Sequence, residues 1–437
     1  MPPHDAPIDP ARIYRKITWR LIPYLFFLFI LAYLDRVNVG FAALPMKHDL
    51  GLSNTVYGTG AGIFFLGYAL FDLPSNLILV KVGARRWIAR IMISWGIIAT
   101  GMAFITGPHS FYLLRFLLGL GEAGFFPGII LYLTLWFPSH VRAKAIAKFM
   151  IATSLAGVVG GPLSSFLLNL DGRAGFHGWQ WLFLAEGIPT VLVGMSVLFI
   201  LRDGPQHAPW LTEAEKSWLA DELQQDRITS GAHNRHALRD AFRLPMLWLL
   251  GAIYFITQVG VYTVNLWMPL ILAQFAAVGS LTSQSSHMAR LSTLPYLAAA
   301  ACTIFVGWSS DRTRDRRWHI SACLVLSTIG FAWAAFAHSL PTSLCAMTLG
   351  AIGYWSCIPA FWVLPTRVTQ GRAAAGVVSI IMICGGIGGF IGPYLTGKLR
   401  DVTHGYSGGL IAIAILTLVG AALCIALPAR SSAAQQR

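Results

Sequence analysis

Charged side chains are scarce in this chain. They make up 11% of its 437 residues, whereas hydrophobic residues make up 56%. A soluble protein covers its surface with polar groups and carries charge on about a quarter of its residues. The shortage of charge therefore excludes a soluble globular protein and indicates one that is embedded in a lipid bilayer.

Several kinds of chemistry lack the residues that they need. The six cysteines lie within apolar segments of the second half, form no CxxC pair and have no histidine at metal-binding spacing. We interpret them as small hydrophobic side chains. No HExxH motif and no nucleophile with a neighbouring base is visible either. We therefore expect no metal site and no enzymatic activity.

The net charge of +14 does not indicate a nucleic-acid partner. The charged run at 311–317 lacks interleaved aromatic side chains, and no folded domain is available to present it. Basic residues instead cluster in short loops, whereas the intervening loops at 107–110 and 273–288 hold few. By the positive-inside rule, both termini are predicted to be cytoplasmic.

The apolar residues form about twelve stretches, each close to the roughly 20 residues that a membrane-spanning helix needs. They are predicted to begin near Trp19, Val56, Trp87, Phe111, Ala145, Trp179, Pro245, Arg290, His319, Thr342, Ala373 and Ser407. This pattern predicts an all-α integral membrane protein with twelve transmembrane helices.

An internal repeat divides these helices into two pseudo-symmetric six-helix bundles. The Arg-Arg-Trp sequence at 85–87 recurs at 316–318, and the Gly-Pro at 161–162 recurs at 392–393, a shift of 231 residues both times. Duplicated bundles are the plan of transporters that bind substrate between their repeats. The predicted divisions are a cytoplasmic tail at 1–18, bundles at 19–201 and 244–428, a cytoplasmic linker at 202–243 and a tail at 429–437. Within the linker, Thr212 and Glu215 have the capping-box spacing of a short amphipathic helix.

Asp35 and Arg36 lie together in the apolar segment 21–44, which also holds Asn38. A charge at bilayer depth costs at least about 2.5–3.5 kcal/mol, so such residues usually serve a function. One interpretation is that the two residues neutralise each other near a helix end. The other is that they line a water-accessible cavity, where they bind a charged substrate or a proton.

Arg115 and Glu122 lie seven residues apart in one apolar stretch, 111–133, and thus on one face of a predicted helix. The rise between them is about 10 Å, too long for direct pairing. We expect each to face the cavity and to find its partner at Asp35 or Arg36. The carboxylates Asp35 and Glu122 are candidate proton carriers, and the two arginines are candidate anion receivers.

The second half supplies neutral polar groups. Tyr262 and Asn265 are three residues apart and share one helix face, and an asparagine in a bilayer needs a partner. We expect them, with Trp355 and with Tyr68 of the second helix, to line the same cavity. For Glu186 and Asp72 a structural role near a helix end is the favoured interpretation.

Some residues are predicted to act in conformational change rather than binding. Gly-Pro pairs interrupt corresponding helices of the two halves and would allow bending, and charged residues mark the cytoplasmic loops between helices. The candidates are Gly161, Pro162, Gly392, Pro393, Arg85, Arg86, Asp311 and Arg312.

Several stretches together resemble the major facilitator superfamily and, more narrowly, the bacterial organic-anion permeases of its anion:cation symporter family. They are YLDRVNVGFA (33–42), LPSNLILVKVGARRW (73–87), LRFLLGLGEAGFFPGIILYLTLWFP (114–138), GGPLSSFLLNLDG (160–172), GWQWLFLAEGIP (178–189), WLTEAEKSWL (210–219) and GGFIGPYLTG (388–397). The resemblance extends over nearly the whole chain. One departure is that this chain has Met382 and Gly386 where many relatives carry asparagines that resemble hydroxyl-binding groups, which favours a less hydroxylated substrate.

The resemblance implies import of an organic anion such as tartrate, phthalate, 4-hydroxyphenylacetate or a hexonate, together with protons. It assigns proton coupling to Asp35 and Glu122, anion binding to Arg36 and Arg115, and the second-helix tyrosine to Tyr68. We therefore expect a proton-coupled importer of a small carboxylate in the bacterial inner membrane, sufficient as a monomer and with no cofactor besides protons. An exchanger or exporter that does not use the proton gradient is the alternative.

Overall fold

The computed structural model describes residues 8–229, 244–276, 279–313, 315–365 and 372–427. Within these ranges the chain is helical and forms no β-strand. In chain order the α-helices are α1 (Pro10–Asp49), α2 (Asn54–Val82), α3 (Ala84–Gly101), α4 (Pro108–Glu122), α5 (Phe125–Thr134), α6 (Ser139–Leu168), α7 (Gly178–Ile200), α8 (Glu213–Thr229), α9 (Pro245–Ala273), α10 (Leu281–Leu291), α11 (Thr293–Thr313), α12 (Arg316–Ala335), α13 (Leu340–Trp362), α14 (Arg372–Thr403) and α15 (Ser407–Ile425).

These helices form the twelve-helix fold that the hydropathy predicts. Eleven spans among the described residues are long and apolar enough to cross a membrane, and the apolar stretch Leu155–Leu168 inside α6 adds the twelfth. Helices α4 and α5 together make one span, as do α10 and α11. The first helix begins earlier than the predicted Trp19, because Asp9 caps it and a proline occupies its first turn.

The predicted loop at 273–288 is wrong in part, because residues 281–291 form α10. Ser280 caps this helix, accepting a hydrogen bond from the Ser283 amide at 3.2 Å. The helix carries few apolar residues and so gives no hydropathy signal. Its buried Ser286 instead faces the first half, where it hydrogen-bonds Ser165 at 2.7 Å and Asn169 at 3.0 Å.

The predicted continuous helix over 111–133 is also wrong, because it breaks directly after Glu122. Gly124 adopts a left-handed conformation with φ 84°, which favours glycine. The backbone groups freed by the break are hydrogen-bonded from α2. Asp72 accepts from the Gly124 amide at 3.2 Å, and Ser75 donates to the Ala123 carbonyl at 2.7 Å.

The two halves meet at the end of the bundle where α1, α6 and α14 finish and α2 and α10 start; we call this the closed end. The Tyr57 hydroxyl of α2 donates to the Leu266 carbonyl of α9 at 2.9 Å. Gly58 of α2 and Gly161 of α6 bring their helices against the backbone of α14 and α10 respectively, leaving no room for a Cβ atom.

Asp401, near the end of α14, caps α2 across this boundary. Its carboxylate accepts hydrogen bonds from the amide and side chain of Asn54 at 3.2 and 2.7 Å. It also accepts from the amide and hydroxyl of Thr55 at 2.7 and 2.6 Å. A charged group of one half thus satisfies the free amides at a helix N-terminus of the other.

The short helix expected in the linker is α8, and its capping box is formed. The Thr212 amide donates to Glu215 at 2.8 Å, and the Glu215 amide donates to the Thr212 hydroxyl at 3.2 Å. Glu215 also accepts from Lys16 of α1 at 2.9 Å. Partial burial raises the pKa of Glu215, but these hydrogen bonds outweigh it and hold the pKa below its usual value.

Asp226 holds the other end of α8 against α6. It accepts from the Ser139 amide at 3.1 Å and from Arg142 at 2.9 Å, and these bonds lower its pKa despite partial burial, which acts to raise it. The rest of the predicted linker at 230–243, residues 1–7 of the predicted N-terminal tail and the whole predicted C-terminal tail at 429–437 lie outside the described residues.

Candidate functional site

Arg36 of α1 and Glu122 of α4 form an ion pair in the middle of the membrane-spanning region. Arg36 Nη2 donates to Glu122 Oε1, and the Arg36 side chain is 20% exposed whereas that of Glu122 is 1% exposed. Among the described residues, Arg36 Nε and Glu122 Oε2 have no hydrogen-bond partner. The expected pairing of these two residues is therefore present, with capacity for a further ligand on each.

Aromatic rings surround this guanidinium. Arg36 lies over the rings of Phe64 and Tyr68 of α2, at 5.6 and 5.2 Å from their centroids. Tyr262 of α9 lies beside Arg36 and packs its ring on Phe65, with the centroids 3.8 Å apart. Arg36 thus stands at the boundary of the two halves, with a tyrosine from each half beside it.

Arg115 is placed differently from the expectation. It is fully buried, and its guanidinium donates to the backbone carbonyls of Gly60 at 3.4 Å and Ala61 at 3.0 Å in α2. It also lies over the face of Phe64, whose centroid is 4.9 Å away. In this conformation Arg115 therefore ties α4 to α2, and an anion reaches it only if these contacts change.

Asp35 points away from Arg36 into the first half, because adjacent helical residues diverge by about 100°. It accepts from Trp95 Nε1 of α3 at 2.5 Å and from Asn38 Nδ2 at 3.1 Å. The same Asn38 nitrogen donates to Glu186 of α7 at 2.8 Å. Asn38 Nδ2 is therefore already engaged by two carboxylates, and the predicted substrate contact of Asn38 has no support from this arrangement.

The structure corrects the expectation for Glu186, which lies buried beside Asn38 and Asp35 inside α7 rather than near a helix end. The sequence contained a signal for this position. Glu186 comes eight residues after the start of α7 at Gly178, which corresponds to about 12 Å along the helix. A carboxylate at that depth lies well inside the hydrocarbon.

The second half contributes hydrogen-bond donors and rings. Asn265 of α9 accepts a hydrogen bond from Tyr296 of α11 at 2.7 Å, a partner that sequence reasoning did not identify. Trp355 of α13 lies between Tyr33 of the first half and Tyr296, at ring distances of 6.0 and 6.4 Å. Among the described residues, Asn265 Nδ2, Trp355 Nε1 and the Tyr33 hydroxyl make no hydrogen bond of ordinary geometry.

Met382 and Gly386, where many relatives have asparagines, lie in α14. The Tyr254 hydroxyl approaches the Met382 sulfur at 3.8 Å. A Cβ atom at Gly386 would stand 3.0 Å from Ala69 of α2, so this position serves close packing between the halves. A larger side chain there would push the two helices apart.

The candidate gating residues divide into two groups. The Gly-Pro pairs lie in α6 and α14, where Gly161 packs against α10 of the other half and Gly392 against α9 of its own. The charged candidates lie at the opposite end from the closed end. There Arg85 pairs with Asp203 at 3.5 Å and Asp311 with Arg316 at 2.5 Å, while Arg312 lies over Trp308 and Arg86 is exposed.

Two bundles of apolar helices with buried charges between and inside them define a multi-pass membrane transporter. No group of His, Cys, Asp and Glu in the described ranges has the arrangement of a metal site. The sequence matches the Major Facilitator Superfamily over residues 25–393 and again over residues 254–436. The chain belongs to this superfamily.

Individual relatives agree with this assignment. The chain is 44% identical to a protein of Agrobacterium vitis named "Putative tartrate transporter", over 97% of this chain and 92% of that one. It is 39% identical to a "Quinolone resistance transporter" of Acinetobacter baumannii, over 93% of each. A crystal structure of a bacterial homologue of the human lysosomal transporter Spinster has the same fold, with a TM-score of 0.76 at 20% identity over 96% of this chain and 97% of that one. The predicted resemblance is confirmed.

Proposed function

We propose that this protein imports a small organic anion together with protons. The observation that carries the proposal is the Arg36–Glu122 pair, which joins a guanidinium to a carboxylate at the boundary of the halves. Each partner retains an unused hydrogen-bonding atom within the described structure. Such a pair can bind a carboxylate at the arginine and a proton at the acid.

The exchange of partners links the two events. A substrate carboxylate forms a bidentate pair with Arg36 and displaces Glu122, since a guanidinium binds carboxylates in a planar fork. The displaced Glu122 is a buried charge without its cation, which costs several kcal/mol unless it binds a proton. Anion binding thus favours proton binding, and by reciprocity protons favour the anion.

The unpaired donors support a particular kind of substrate. Trp355 presents an indole N–H without a partner in the described structure, and the Tyr33 hydroxyl contacts the Asn265 side chain without the geometry of an ordinary hydrogen bond. Buried donors left unpaired cost about 1–3 kcal/mol each, so a ligand that supplies acceptors gains affinity here. The rings of Tyr33 and Trp355 favour a flat apolar body. We infer a carboxylate that carries a second acceptor, either an aromatic acid or a short dicarboxylate.

The closed end faces the periplasm in this proposal. Lys and Arg cluster in the loops at the opposite end, which the positive-inside rule assigns to the cytoplasm. Rocking of the halves about the Arg36 site, with bending at the Gly-Pro pairs, exposes the site to each side in turn. The setting we propose is a bacterial inner membrane, with one chain as the working unit.

The test is uptake by purified protein in liposomes, with a panel of aromatic acids and dicarboxylates, with and without an inward proton gradient. Wild type should accumulate one acid only with the gradient. Glu122→Gln should still exchange the acid across the membrane but lose accumulation. Arg36→Gln should lose at least tenfold in affinity, while Arg173→Gln, in an exposed turn, should match wild type.

Uptake that ignores the gradient, in wild type and Glu122→Gln alike, would contradict proton symport. The similarity to a quinolone resistance transporter makes export the second candidate function. Export is distinguished in the same liposomes by reversing the gradient. An exporter that exchanges the acid for protons would accumulate it when the liposome interior is the more acidic side, whereas an exchanger or exporter that does not use the gradient would show no dependence on its direction.

A further inference from the structure

Glu186 is a buried carboxylate that the mechanism above does not use. Glu186 is 5% exposed, and its neighbours Asp35 and Asn38 are each 1% exposed. The Asn38 side chain stands between the two acids, with Nδ2 at 2.8 Å from Glu186 Oε2 and 3.1 Å from Asp35 Oδ1. One amide therefore joins two carboxylates inside the first half.

The buried charges of this half do not balance. Three buried carboxylates, Asp35, Glu122 and Glu186, and the half-buried Asp72 accompany the guanidiniums of Arg36 and Arg115. An ionised group without a counter-charge in such surroundings costs several kcal/mol. The carboxylates outnumber the guanidiniums, and we therefore expect at least one of the three buried acids to hold a proton.

The surroundings of each acid indicate which one holds it. Glu122 is paired with Arg36. Asp35 receives hydrogen bonds from Trp95 and Asn38 and is faced by the charges of Arg115 and Glu122. In the described part of the chain, Glu186 faces Asp35 as its charged neighbour and receives the Asn38 hydrogen bond, with no cation beside it.

Asn38 is suited to both protonation states. Among the described residues its Oδ1 has no hydrogen-bond partner, although it is buried. When both acids are ionised, Nδ2 donates to them. When Glu186 is protonated, rotation of the amide brings Oδ1 to accept from the carboxyl hydroxyl while Nδ2 still donates to Asp35.

We propose that Glu186 is a proton-binding residue and that Asp35 and Glu186 hold one proton between them across Asn38. The proposal rests on the proton coupling proposed above for Glu122 and adds to it Asp35, which the sequence predicts to be a proton carrier, and Glu186. Two acids that share one site lose their protons in separate steps, because the second ionisation places like charges side by side. Glu186 thereby retains a proton over the pH range in which Asp35 exchanges one with the substrate cycle.

Infrared difference spectroscopy tests the stored proton without requiring transport. Wild type in lipid should show a carboxylic-acid C=O band at neutral pH that Glu186→Gln removes and the exposed Glu213→Gln retains. Because this measurement does not depend on transport, a negative result would contradict the stored proton without contradicting the proposed function. A band that Glu186→Gln leaves unchanged at every pH overturns the proposal.

The pH profile of uptake provides the second readout, with Asn38→Leu as a variant that leaves both acids in place. Glu186→Gln should leave the Asp35 limb at its wild-type position, because a neutral amide replaces an acid that is already neutral over that pH range. Asn38→Leu should move it upward, because a donor to the ionised acids is lost. A limb that Glu186→Gln moves down by one pH unit or more would show that Glu186 is ionised in this range, and that result overturns the proposal.

Discussion

Asp401 holds the closed end together, and Asp401→Asn should weaken it by an amount that the geometry allows us to estimate. Two of its four hydrogen bonds go to Asn54 and two to Thr55. An amide in place of the carboxylate keeps one acceptor oxygen. The two bonds to Thr55 then lose their acceptor, and the N-terminus of α2 loses a compensating negative charge.

Hydrogen bonds to a charged group contribute about 1.5–3 kcal/mol each when buried, and less where solvent reaches them. Because the Asp401 site is part-exposed, we take about 1.4–2.8 kcal/mol for both bonds together, which is roughly a tenfold to hundredfold change in an equilibrium constant. The open form of this end should be enriched by that factor.

Hydrogen exchange measured by mass spectrometry tests this expectation. In Asp401→Asn, the amides of 53–57 should exchange about tenfold to hundredfold faster, since exchange follows the open population. Peptides covering 165–171 and 282–289 should accelerate as well if the closed end opens as one unit. The exposed Asp221→Asn on α8 is the control. Faster exchange at 53–57 alone would show only local fraying, and unchanged exchange throughout would refute the role of Asp401.

Two further predictions concern stability. Gly124→Ala should lower the free energy of unfolding by about 1–2 kcal/mol, because a side chain is strained at its positive φ. Gly107→Ala, at an extended and uncrowded position, should leave the free energy of unfolding unchanged. Thermal unfolding in detergent compares the two variants. Asp226→Asn should accelerate exchange in α8 by removing the Arg142 contact. Because the pKa of Asp226 is lowered, this contact stabilises at neutral pH and is lost only as pH falls below the usual carboxylate range. Two results would contradict the role of Asp226: fast exchange in α8 already at mildly acidic pH in wild type, or exchange in Asp221→Asn that is as fast as in Asp226→Asn.

Sequence reasoning succeeded where composition alone decides the outcome. Long apolar stretches predicted the crossings, because a bilayer leaves a helix few alternatives. It also identified Arg36 and Glu122, because charges in apolar helices require partners. In the structure these two side chains pair, although they are 86 residues apart in the sequence. Their pairing depends on the charge of each side chain and on its position within an apolar helix, and both can be read from the sequence.

The misses have a common physical cause, which is that the same residue can serve opposite roles. A glycine such as Gly124 can pack two helices or break one, and only the Ser75 and Asp72 contacts of α2 decide for the break. The serine-rich sequence of α10 is typical of a loop. Its helical structure is explained only by the packing of Ser286 against α6, where it hydrogen-bonds Ser165. Each outcome depends on a contact that is remote in the sequence.

The distribution of charge bears on how the halves can move. The buried acids and guanidiniums at the centre lie on α1, α4 and α7, all in the first half, whereas the central groups described in the second half are neutral donors and rings. An ion pair that crossed the central boundary would have to separate with each reorientation, at a cost of several kcal/mol. Here Arg36 keeps its counter-charge within its own half. In the proposed transport cycle the halves can therefore separate at the centre without breaking an ion pair, which keeps the barrier to reorientation low.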